Sequence, residues 1–224
     1  VLWQFMSTEK LLALLSSRKL HLARMDTFDD PWEATVTDAM HALGLKDFGS
    51  ESKHLWLERA NRFRNRTFAS CWHRNPVESA AMWDLYATRN AGVALRTTVS
   101  ALQQSIQTTA ELLIANVRYV DFRTFGSDAN PFAAAALKRK SFKHEQEVRL
   151  IHFQSHPSTS EKMGTPGDST SFFVDVDLQK LVRAVYVAPS APSWHLPGLR
   201  ELLSRFGLKP SLVQQSVLYD QRVW

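Results

Sequence analysis

KRKSFKHEQEVRLIHF, residues Lys138 to Phe153, passes from a cluster of cations through two carboxylates into a mostly apolar segment. Upstream, Asn130-Pro131 has the form of a cap followed by a first-turn proline, and the alanine-rich run to Lys140 has high helix propensity, so the spacing predicts a helix ending on Lys138, Arg139, Lys140 and Lys143. Cations there complement the helix dipole. Val148 to Phe153 is short, apolar and bounded by polar residues, which predicts a strand. A helix that delivers the chain directly into a strand is one unit of a mixed fold.

The same mixture recurs on both sides. Leu2–Met6 is expected as a strand, Ser7 as the N-cap of a short helix carrying Leu11, Leu12, Leu14 and Leu15, and Leu20–Arg24 as a second extended segment. Further strands are expected at Thr67–Trp72, Val93–Thr97, Leu112–Phe122, Ser171–Val176, Ala184–Ala188 and Leu212–Leu218. Helical segments are expected at Ser100–Gln107, Leu178–Val182 and Leu199–Phe206, with Gly207 as a C-terminal stop. Asp30-Pro31-Trp32-Glu33 and Asn75-Pro76-Val77-Glu78 each read as cap, first-turn proline and third-position carboxylate of a helix. Ser155–Ser169, rich in Ser, Thr, Pro and Gly, is expected to be a loop. Without a regular βαβ period, these elements imply an α+β fold: one domain, residues 1–224, with a twisted, mostly antiparallel or mixed sheet and flanking helices.

Composition narrows the function classes. The chain has 224 residues, 44% hydrophobic and 22% charged, enough for one substantial core, and no apolar run long enough to span a membrane. No stretch has the pattern of a secretory signal and Cys71 is the single cysteine, which together imply a cytoplasmic protein without internal disulfides. The net charge of +5 admits an anionic partner, whether a nucleotide or a nucleic acid.

The chemistry is carried by carboxylates and aromatics. GxxxxGK[ST], GxGxxG and HExxH are all absent, and one cysteine cannot make a thiolate zinc site. Cys71 lies two residues from His73, a nucleophile beside a base in sequence, although a small buried apolar residue is the simpler reading. Glu145 and Glu147, spaced i and i+2 at a strand entrance, are expected on one side, where repulsion, unless offset by basic neighbours, would raise the proton affinity of the pair. Asp30, Glu33 and Arg149 join them as candidate ligand-binding residues, and Trp83 and Tyr86, one turn apart with Met82, are either core or a stacking wall. Such a set suits stabilisation of positive charge on a sugar or the holding of a divalent metal, while pairing of Glu145 and Glu147 with Lys143 and Arg149 is the structural alternative.

The order FDDPWE (Phe28–Glu33), FASCW (Phe68–Trp72), MWDLYA (Met82–Ala87) with GVAL, KxxxFKHEQEVRLI (Lys138–Ile151) and VRAVYVAPSAP (Val182–Pro192) resembles an uncharacterised domain family of bacteria and their phages, some members of which look like parts of phage-defence or abortive-infection systems. More distantly, the opening strand, helix and strand and the glutamate at a late strand resemble ADP-ribosyltransferases. That resemblance implies NAD as cosubstrate, Glu147 as the residue that stabilises oxocarbenium character, Glu145 as the first member of an E-x-E pair, and Tyr86 or Trp83 stacking on nicotinamide. The first strand, Trp3-Gln4-Phe5, has no Arg or His where such enzymes usually carry one, and Arg24 or Arg149 would substitute. The expectation is an NAD- or nucleotide-using transferase or glycohydrolase acting as a toxin or defence effector. The alternatives are a metal-dependent nuclease, a non-catalytic module for an anionic ligand, and a subunit that binds a partner through exposed aromatics.

Overall fold

The computed structural model describes residues 1–35, 37–38, 42, 58, 61–87, 90–126, 131–154 and 169–220. Its elements run β1 (Leu2–Ser7), α1 (Thr8–Ser17), β2 (Lys19–Arg24), β3 (Thr67–Arg74), α2 (Ala80–Tyr86), β4 (Gly92–Thr97), α3 (Val99–Ser105), β5 (Leu112–Asn116), β6 (Arg118–Val120), α4 (Pro131–Ala134), β7 (Leu137–Arg139), β8 (Glu147–Phe153), β9 (Ser171–Asp175), α5 (Leu178–Leu181), β10 (Ala184–Val187), α6 (His195–Arg205) and β11 (Val213–Gln215). Short 3₁₀ turns precede β8 and β11 and follow β2. The fold is α+β with a mixed, largely antiparallel sheet, and no helix among the described residues is long and apolar enough to cross a membrane.

The chain packs as two compact units: Val1–Leu20, Trp72–Thr109 and Phe173–Trp224 form the first, His21–Cys71 and Ala110–Phe172 the second. In the first, β1 pairs antiparallel with β4, β4 with β10, and β10 runs parallel to β11. Ser7 serves as N-cap, its Oγ accepting from Lys10 N, and α1 stops at Arg18 in the left-handed region. Trp3, Phe5, Met82, Trp83 and Ala94 make the core beneath these strands, which settles Trp83 as a core residue. Tyr86, on the same helix, is about half exposed.

In the second unit β2 pairs antiparallel with β3, β8 lies against β3, and β5 pairs antiparallel with β8 in a register that sets Asn116 opposite Val148. Met25, Ala34, Phe63, Ala69, Ala135 and Ile151 form its core. A separate parallel pair, β6 with β7, packs Val120 and Phe122 against Leu137.

Three local expectations are corrected. The alanine-rich run is helical only over Pro131–Ala134; Arg118 N then donates to Ala136 O at 2.8 Å and Leu137–Arg139 form a strand. Burial of Leu137 and the ion pairs of Lys138 outweigh the alanines' modest propensity, and the cations expected at a helix end lie on a strand. Pro31–Ala34 form a turn closed by Glu33 N to Asp30 O at 3.1 Å, with Ala34 at φ 52, instead of a capped helix. Asn75 likewise caps nothing: α2 begins at Ala80 with Ser79 as its N-cap. The loop expected at 155–169 lies outside the described residues except at Ser169.

Candidate functional site: a buried carboxylate and cation cluster

Glu147 and Arg149 occupy alternate positions of β8 and therefore share one face of the strand, with Arg149 Nε donating to Glu147 Oε2 at 2.7 Å. Tyr119 at the middle of β6 fixes the entrance of β8 by accepting from Glu147 N at 2.7 Å. Glu145 reaches the same place by a different route from the strand alternation expected. It ends the 3₁₀ turn Lys140–Glu145, and Gln146 at φ 44 turns the chain so that residues 145 and 147 meet again.

Lys138, projecting from β7, is where they meet. Its ammonium donates to Glu147 Oε1 at 2.6 Å and to Glu145 Oε2, and lies 3.1 Å from Glu33 Oε1. Glu33 arrives from the Pro31–Ala34 turn; its other oxygen stands 2.8 Å from Arg149 Nη2 in ion-pair contact without hydrogen-bond alignment. Arg149 Nη1 donates to Ala135 O at 2.9 Å. One step along β7, Arg139 makes a two-pronged contact with Asp30, Nε to Oδ2 at 3.1 Å and Nη2 to Oδ1 at 2.9 Å. All these residues belong to the second unit.

The cluster is nearly dry. Arg149 is 0% exposed, Glu33 1%, Glu145 3% and Glu147 6%. Three carboxylates, Glu33, Glu145 and Glu147, face two cations, Lys138 and Arg149, so full ionisation would leave one uncompensated negative charge in a medium that penalises it heavily. The pair responds by dividing: burial and a hydrogen bond with Glu147 push Glu145 up to about 7, against the pull of Lys138. For Glu147 burial acts in the same direction, but Arg149, the bond with Glu145 and Lys138 outweigh it and hold its carboxyl well below the usual carboxylate range. One carboxyl keeps a proton near neutrality while the other remains charged. Burial alone would lower Lys138 and Arg149, yet the surrounding carboxylates keep both more basic than usual.

Cys71 borders this cluster. Desolvation, then the charge of Glu147, push its thiol well up, so it remains a protonated, poorly nucleophilic group. Burial also raises the Tyr119 phenol.

Of the residues expected at a site, Glu145, Glu147, Glu33 and Arg149 come together, with Asp30 joined to them through the adjacent cations of β7. Arg24 is held by Asp26 at 2.7 Å. Trp83 and Tyr86 belong to the first unit, where the Trp83 indole donates to Glu78 Oε2 at 3.0 Å. Sequence reasoning missed Lys138 and Tyr119. Lys138 was assigned to a helix end; once Leu137–Arg139 is a strand, its alternation with Leu137 shows that it can face the carboxylates.

The divided pair has a thermodynamic consequence. Glu145 binds its proton more tightly in the folded chain than in the unfolded one, so between its ordinary value of 4.5 and about 7 the unfolded chain has released a proton that the folded chain retains. This contribution to stability is present in full below that window and is lost as pH rises through it; that of Glu147 has the opposite sign, present above its ordinary value of 4.5 and lost progressively as pH falls below it. Relative to Glu145→Gln, the native protein is expected to lose stability between pH 5 and 8 in urea unfolding. Parallel pH profiles for the two proteins would contradict a shared proton at Glu145.

No family model and no curated protein matches the chain.

Proposed function

We propose that the chain is an NAD- or nucleotide-using glycohydrolase or transferase of ADP-ribosyltransferase type, with Glu147 and Glu145 as its catalytic pair. The supporting observation is that two carboxyl groups meet on one buried ammonium and are driven to opposite protonation states. Opening the bond between ribose and the pyridinium of NAD builds positive charge on the ribose, while nicotinamide takes the bonding pair and departs neutral, without needing a proton. An ionised Glu147 would stabilise that charge, and a neutral Glu145 would hold the ribose hydroxyls by donating a hydrogen bond to them. Pairs of titratable groups pushed apart by their surroundings are how acid and base duties are divided at neutral pH. Depletion of NAD by such an enzyme is toxic to a cell, in keeping with the defence role implied by the sequence resemblance.

The metal-dependent nuclease has less support. Lys138 Nζ already fills the space among the three carboxylates, and among the described residues no group of three or more His, Cys, Asp or Glu is arranged to hold a metal. An anion-binding module is the reading that the partly exposed Arg139 favours, its side chain being 39% accessible.

Separate incubations with NAD, ADP-ribose, nucleoside triphosphates, RNA and DNA, with chromatographic detection of released nicotinamide, base or nucleic-acid fragments, separate these readings. The expected result is release of nicotinamide from NAD, insensitive to chelator. Binding of nucleotide without any bond cleavage would replace the enzyme by the anion-binding module, and cleavage of RNA or DNA abolished by chelator would restore the nuclease.

A further inference from the structure

We infer that Trp32, Arg139 and Phe142 form a nucleotide-binding stack at the rim of the carboxylate cluster, the base lying on Trp32 and the phosphate on Arg139. This rests on the proposed nucleotide chemistry for its choice of ligand. The Arg139 guanidinium stands 5.9 Å from the Trp32 ring centroid and 5.3 Å from that of Phe142, within cation–π reach of both. Phe142 also lies 4.8 Å from Lys138 Nζ, which joins this rim to the buried cluster.

Two features suit the group to a ligand more than to packing alone. Trp32 is 37% exposed, yet its ring is held edge to face by Phe122 at 5.6 Å and 77°, so a large aromatic surface is presented with little rotamer entropy left to lose on binding. The Asp30 carboxylate takes Nε and Nη2 of Arg139 and fixes the plane of the fork, while among the described residues Nη1 has no hydrogen-bond partner. A fixed guanidinium with an unspent N–H group beside a rigid indole matches a planar heteroaromatic ring linked to a phosphate. Asp30 offsets part of the Arg139 charge, and ring and phosphate are therefore both needed.

Calorimetric titration with AMP, adenosine and ribose 5-phosphate tests the stack. AMP is expected to bind the native protein at least tenfold more tightly than either fragment, and Trp32→Leu to weaken AMP tenfold or more. Arg139→Met is expected to weaken AMP while leaving adenosine unaffected, a pattern that loss of folding would not give; thermal melts confirm that each variant is folded. Absence of AMP binding by the native protein, or equal AMP affinity for native protein and Trp32→Leu, overturns the stack. The outcome is separable from the glycosidic reading: Trp32-dependent AMP binding without nicotinamide release leaves the stack standing and removes the enzyme, and Glu147-dependent nicotinamide release with unchanged AMP affinity in Trp32→Leu does the reverse.

Discussion

Arg149→Ala is expected to lower the unfolding free energy by about 3–5 kcal/mol, the largest effect of any single substitution in the cluster. The guanidinium is wholly buried and pairs with two carboxylates from distant parts of the chain, Glu147 at 2.7 Å and Glu33 at 2.8 Å. A buried ion pair as a whole adds little stability over an apolar replacement of the same shape, because desolvation offsets the attraction. Removing one member is different, since the charges left behind keep their desolvation cost and lose their compensation. Alanine also opens a cavity where the guanidinium packs, its Cζ 5.8 Å from the centroid of the Phe28 ring. Urea unfolding of the native protein and the variant measures the difference. Neutralising a partner should recover part of it: Glu33→Gln is expected to cost less in the Arg149→Ala background than in the native one, a coupling read from a double-mutant cycle. Additive losses would mean that the two side chains do not act as one network.

Glu147→Gln is expected to reduce nicotinamide release on the order of a hundredfold or more, the scale at which enzymes depend on one group aimed at a developing charge. The replacement keeps the shape of the side chain and an oxygen that can accept from Arg149 or Lys138, so the folded protein should persist and substrate affinity should change far less than turnover. What disappears is the negative charge that the cluster maintains by holding Glu147 ionised. On the proposed reading Glu145→Gln replaces a titrating hydrogen-bond donor to the ribose hydroxyls by one that does not titrate, and it is expected to flatten the fall of activity above about pH 7 as well as to slow turnover. If the Glu147→Gln protein releases nicotinamide at the native rate, the charge-stabilising role proposed for Glu147 is wrong.

Much of the framework was legible because it rests on short-range signals. The strand, cap and helix of the first seventeen residues follow from Leu2–Met6 and Ser7, and the mostly apolar segment after Glu147 reads as a strand. The pairing of Glu145 with Glu147 was also visible, although for an incomplete reason: adjacency on a strand was expected, whereas a left-handed Gln146 brings a residue of the preceding turn alongside the first residue of β8. The segment around Lys138 was not legible, because its local preference and its tertiary fate conflict. The alanines favour a helix by a few tenths of a kcal/mol per residue, while a parallel pairing with β6 and three carboxylates contributed by residues 33, 145 and 147 favour the strand. Glu33 illustrates the same limit. Its third-position spacing from Asp30 suggested a helix cap, but its partners lie more than a hundred positions along the chain, at Lys138 and Arg149.

A ¹³C titration of the glutamate side-chain carboxyls, with Glu145→Gln to identify the relevant signal, addresses the divided pair most directly. One carboxyl resonance is expected to titrate near pH 7 in the native protein and to be missing from the variant. If every glutamate titrates below about pH 5, within the ordinary carboxylate range, the cluster holds no shared proton and the acid–base pairing of Glu145 with Glu147 is contradicted.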